Sequence, residues 1–136
     1  MIDNSWCFDL EPLLFTKVKA EGNKLLKAKY PKIVFTNTDV NKGTPIFPCV
    51  YIHSINGTET GNDITNNTIN AVNYTMQIDV VTDTSQSDCR YISSVIGVVF
   101  RSLGFTVATF PYSENGSAYY RYVMRVQRII GHGDKF

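Results

Sequence analysis

The chain is short of the features that announce chemistry. Its three cysteines, Cys7, Cys49 and Cys89, stand far apart, so neither a zinc ribbon nor a Cys-x-x-Cys redox pair is available. The nine glycines are scattered and give no GxGxxG or GxxxxGK[ST] phosphate cradle. No apolar run approaches the length of a membrane span. An excess of charge is missing too: 13 basic residues against 12 acidic ones leave a formal charge of +1, which argues against a dedicated nucleic-acid or membrane-surface binder. The first residues, MIDNSWCFDLEP, lack the basic start and apolar stretch of a signal peptide. An intracellular chain with reduced thiols is therefore expected, with Cys49 and Cys89 in the core. The glycosylation patterns at Asn56, Asn66, Asn73 and Asn115 then follow simply from abundant Asn and Thr.

What is present is a core and a pattern. Hydrophobic residues make up 43% and aromatics 12% of 136 residues, enough for one domain that buries roughly two thirds of its unfolded surface. A first helix is expected to start near Asp9 as cap, with Pro12 in its first turn. Its apolar stripe is Leu10, Leu14, Val18, Gly22, Leu25 and Leu26, and Gly22 suggests close approach to a sheet. Lys17, Lys24, Lys27 and Lys29 fall off that stripe and read as the wet side, stopped by Tyr30-Pro31.

A short strand at Ile33–Thr36 is possible, and Pro48 suits the start of a strand over Cys49–Ile55. Tyr74, Met76, Ile78 and Val80 alternate with polar residues as a half-buried strand does. Between these two strands, 56–70 (NGTETGNDITNNTIN) reads as a long polar loop. Loops of that length in compact domains are functional or disordered. The second helix is the clearest element: Ser85 and Asp88 resemble a capping box, Cys89, Ile92, Val95, Ile96, Val99 and Leu103 form a stripe, and Gly104 ends it. A hairpin closes the chain, Phe105–Tyr112 out and Ala118–Ile130 back, turning at Asn115-Gly116 with both residues at positive φ. Tyr120, Tyr122, Met124 and Val126 share one face of the returning strand, with Arg121, Arg125 and Gln127 on the other. The expected fold class is α+β: a single domain spanning 1–136, a mostly antiparallel sheet, two main helices packed on it and a long β–β loop.

Candidate chemistry is weak throughout. Cys49 and His53 share a strand face but sit about 13 Å apart along it, beyond hydrogen-bond reach for a nucleophile and its base. Asp79, Asp83 and Asp88 lack EF-hand spacing and have no His or Cys companion at ligand distance, so capping explains the last two better. Arg121, Arg125 and Arg128 read as a solvated or interfacial strand face. No catalytic residue, metal site or cofactor is expected.

One ordered set of segments does resemble a known family. Phe47-Pro48-Cys49-Val50-Tyr51, the helix Cys89–Leu103 ending in Gly104-Phe105, and the hairpin Pro111…Asn115…Tyr120-Arg121…Arg125 look like the small tail-terminator (tail-completion) proteins of long-tailed bacteriophages. The resemblance covers most of the chain from Phe47 to Ile130. This chain departs from the family pattern in the 57–70 loop, which is longer and less charged. The resemblance implies an α+β virion structural protein, not an enzyme. Its members form a hexameric ring on the head-proximal end of the tail tube, stop tube growth and present the head-joining surface. The implied partners are copies of the same chain, the tail tube protein and a neck or head-completion protein, with DNA passing through the ring unread. Assembly in the host cytoplasm and residence at the tail–neck junction follow. The alternative within the same setting is a head-completion or neck connector ring on the portal side; a small enzyme using Cys49 or His53 is a reading from another class, and a nucleic-acid-binding module with steeply salt-dependent affinity is a third. Contacts are expected from Thr58, Glu59, Asn62 and Asp63 in the loop and from Arg121 and Arg125 on the outward strand face.

Overall fold

A five-stranded sheet, ordered β1-β2-β3-β5-β4, forms the frame of the protein. The computed structural model describes residues 4–38, 46–62 and 69–135, with backbone alone at 56, 57 and 59–62. Its elements are α1 (Ser5–Phe8), α2 (Leu10–Leu26), β1 (Val34–Thr36), β2 (Cys49–Asn62), β3 (Ile69–Thr82), α3 (Gln86–Ser102), β4 (Thr106–Ser113) and β5 (Tyr120–Gly131). β1 runs parallel to β2, and every other neighbouring pair is antiparallel. The expected α+β domain with two main helices on a mostly antiparallel sheet is what the chain forms.

The core lies between the helices and one face of the sheet. Leu14, Val18 and Leu26 of α2, with Ile92, Ile96 and Phe100 of α3, pack over Val50, Ile52, Met76, Ile78, Val80 and Val126. Each such side chain contributes roughly 1.5–3 kcal/mol on burial. Leu25, expected in the stripe, is exposed, because the buried row advances strictly by four residues through Leu10, Leu14, Val18, Gly22 and Leu26. Gly22 does permit a close approach: a Cβ there would stand 2.6 Å from the Phe35 ring of β1 and 3.3 Å from Ile96 of α3.

The two ends of α3 follow their local chemistry. Ser85 Oγ accepts from the Asp88 N–H at 3.1 Å, and the Asp88 carboxylate also receives the hydroxyls of Thr84 and Tyr30. At the other end Gly104 takes φ +87°. The Gly104 N–H donates to Arg101 O and the Phe105 N–H to Phe100 O, both at 3.0 Å, which is the Schellman pairing. Phe100 and Phe105 seal it with their rings edge to face, centroids 5.2 Å apart. Arg128 Nη1 then donates to Leu103 O at 2.6 Å, placing a cation on the negative end of the helix. Arg128 is thus a helix-terminating residue and not part of the outward arginine face.

Other local expectations are corrected. Asp9 makes no side-chain cap of α2: α1 runs into it with φ −103° and ψ 12°, away from the extended conformation that aims a capping carboxylate. The β4–β5 connection spans 114–119 and is closed by Glu114 N–H to Arg121 O at 2.7 Å and Gly116 N–H to Tyr119 O at 3.1 Å. Asn115 contributes its side chain, accepting from the Arg121 N–H at 3.2 Å, and Gly116 is not in the left-handed region. The two-residue turn is absent because six residues, not two, lie outside the paired strands.

Candidate interaction surfaces

The segment expected as a long loop is mostly strand. β2 and β3 stay paired through Thr58↔Asn73, Glu59↔Val72, Thr60↔Ala71 and Asn62↔Ile69. One extra residue enters between Ile55 and Thr58, so Asn56-Gly57 forms a bulge and not the end of the strand. Thr58 is exposed on this ribbon. Glu59 and Asn62 lie on its backbone ladder, while Asp63 falls outside the described residues. Thr is a strong strand former, which lets a polar sequence without apolar alternation pair as a strand.

The root of the ribbon is clamped by residues from both ends of the chain. Asn4 Oδ1 accepts from the Ile69 N–H at 3.1 Å, and His132 N–H donates to Asn70 O at 3.0 Å. Trp6 of α1 stacks on the His132 ring, centroids 5.2 Å apart. His132 is exposed and yet part of this clamp.

The sheet face opposite the helices carries cross-strand rows. Cys49, Val81 and Arg121 form one; Tyr51, Asp79, Val123 and Tyr112 the next; His53, Gln77, Arg125 and Thr109 a third. Arg121 Nη2 pairs with Asp79 Oδ2 at 2.6 Å and Nη1 with Glu114 Oε2 at 2.8 Å. Gln77 Nε2 donates to Asp79 Oδ1 at 3.0 Å, and Arg125 Nε donates to Gln77 Oε1 at 3.1 Å. Burial works to lower the Arg121 pKa, but the hydrogen bond and charge of Asp79, with Glu114 beyond, hold it above its ordinary value. The two arginines named from sequence therefore differ: Arg121 is tied into the protein, whereas Arg125 is exposed and held at one nitrogen.

Asp79, missed as an anchor, had a signal: aspartate is depleted in central strands, so one placed there needs a partner. The edge strand β4 was expected from the sequence, but not its exposed aromatic residues. It carries Phe110, 77% exposed, and Tyr112. Two register shifts along its pairing with β5 and Pro111 within it blunt this edge against indiscriminate pairing.

The Tyr51 ring stacks on His53, centroids 4.2 Å apart, and occupies the row between His53 and Cys49. Burial pushes the Cys49 thiol up to about 11, leaving little thiolate at neutral pH. Among the described residues no three His, Cys, Asp or Glu side chains converge as metal ligands. Neither the protein-family models nor the curated proteins give a match to this chain.

Proposed function

We propose that this chain is a phage virion structural protein that forms a ring on the head-proximal end of the tail tube, ends tube polymerisation and supplies the head–tail joining surface. The observation that carries the reading is the β2–β3 ribbon running beyond the Asn56-Gly57 bulge. A ring requires a heterologous contact, in which one patch meets a different patch on the next copy. The ribbon is one such patch. The open sheet face around Arg125, with Phe110 and Tyr112 at the β4 edge, is a second and chemically different one. The resemblance carried by Phe47–Tyr51, α3 with Gly104-Phe105, and the final hairpin selects this kind of ring among others.

The test is assembly with its expected partner. The purified chain, mixed with tail tubes made without heads, is expected to cap one tube end as a closed ring of six copies by native mass spectrometry and negative-stain imaging. A chain that ignores tubes and binds filled heads instead belongs on the portal side of the junction. A chain that binds neither is not a joining protein.

A further inference from the structure

We infer that the corner where the end of α2 meets the start of α3 is a docking surface for the phosphate backbone of nucleic acid. The near-neutral total hides a segregation of charge. Six of the 13 basic residues, Lys17, Lys19, Lys24, Lys27, Lys29 and Lys32, lie within 17–32 against a single acid, Glu21. That segment carries +5, and the rest of the chain −4.

The fold turns these lysines outward. With Val18, Gly22 and Leu26 committed to the core, Lys24 and Lys27 stand on the solvent side, and Lys29 and Lys32 follow in the exposed turn. α3 adds to the same corner. Lys29 Nζ lies 3.9 Å from the centroid of the Tyr91 ring, Tyr91 remains 41% exposed, and Arg90 is its exposed neighbour. Lys27, Lys32 and Arg90 take part in no ion pair among the described residues, and Lys24 has only an exposed 3.4 Å contact with Glu21. Asp88, the acid beside Lys29, is already bonded to Tyr30 and Thr84.

Lysine decides the occupant. Protein interfaces are depleted in lysine, whereas sequence-independent phosphate contact is made by such cations on flexible stems, with an aromatic ring to lie against a base or sugar. This surface is separate from the ribbon and the open sheet face, and the inference does not depend on ring formation.

The measurement is fluorescence anisotropy of a short labelled DNA duplex titrated with the full chain from about 25 to 200 mM NaCl. Four contacts, from Lys27, Lys29, Lys32 and Arg90, give a log–log salt slope of about −3.6, or a roughly 50-fold loss of affinity between 50 and 150 mM salt. Lys27→Gln/Lys32→Gln/Arg90→Gln is expected to bring the slope to about −1 with an unchanged circular dichroism spectrum. Arg125→Gln, on the opposite face of the sheet, leaves the slope as it was. Absence of binding at the lowest salt overturns the inference, as does a triple variant with the original slope. Tighter binding of polyglutamate than of the duplex at equal charge concentration also overturns it, pointing to an acidic protein instead.

Discussion

Removing Asp79 tests whether the sheet face opposite the helices is built around a buried charge. The residue is 4% exposed, and its oxygens are taken by Arg121 at 2.6 Å and Gln77 at 3.0 Å. Deleting one member of a fully buried pair costs about 3–5 kcal/mol, whereas an exposed pair is worth about 0–1 kcal/mol. The Arg121 side chain is 30% exposed and keeps Glu114 at 2.8 Å, so Asp79→Ala falls between these limits, at about 2 kcal/mol. Arg121→Met is worse, about 3 kcal/mol, because it leaves a buried carboxylate with only the neutral Gln77 donor. Glu114→Gln, at the exposed end, costs less than about 1 kcal/mol. With a urea m-value of about 1.5 kcal/mol per M, the midpoints fall by about 1.3 M for Asp79→Ala and about 2 M for Arg121→Met. The double variant Asp79→Ala/Arg121→Met removes both charges and is expected to be less destabilised than the two single losses added together. Strict additivity, or an Arg121→Met variant no worse than Glu114→Gln, refutes the anchoring role of Asp79.

The remaining predictions concern separate parts of the molecule. Hydrogen bonds from Thr84 and Tyr30 hold Asp88 below its ordinary pKa of 3.8; a depressed folded-state pKa stabilises above the unfolded value and is lost below it. The stability gap between the native chain and Asp88→Asn should therefore hold steady above pH 3.8 and close as pH falls further, measured by thermal melts in a pH series. Gly22→Ala gains about 1 kcal/mol of helix propensity but meets the Phe35 ring, and a net loss of about 1–2 kcal/mol is expected by urea unfolding. Trp6→Ala should speed hydrogen exchange at Ile69, Asn70 and His132 while the α3 amides keep their protection. Replacing 57–70 by a short glycine turn should leave a folded monomer that no longer caps tail tubes; normal capping would remove the ribbon from the interface.

The legible parts of the sequence were those where local chemistry and burial agree. α3 could be read almost to the residue because Ser85, the apolar stripe and Gly104 all mark the same element. The alternation from Tyr74 to Val80 likewise gave the central strand and its buried face. The ribbon was not legible: Asn-Gly at 56–57 reads as a turn, yet the neighbouring strand absorbs it as a bulge, and pairing continues through a polar sequence that writes no apolar alternation. α1 was missed because a four-residue helix has no period to detect. Arg121 and Arg125 were placed on the correct face, but their different engagement depends on Asp79 and Gln77, which lie more than 40 residues earlier and meet them only through strand register.

The clamp at the ribbon root joins residues far apart in the sequence. Asn4 must wait 65 residues for Ile69, and Trp6 must wait for His132. Contacts of such separation form late. The Trp6–His132 contact joins residues further apart in sequence than the α2–α3 contacts, such as Tyr30 with Asp88, and can therefore close after the core has formed. If copies associate through the ribbon as proposed, that arm is braced at its root only once His132 has been added.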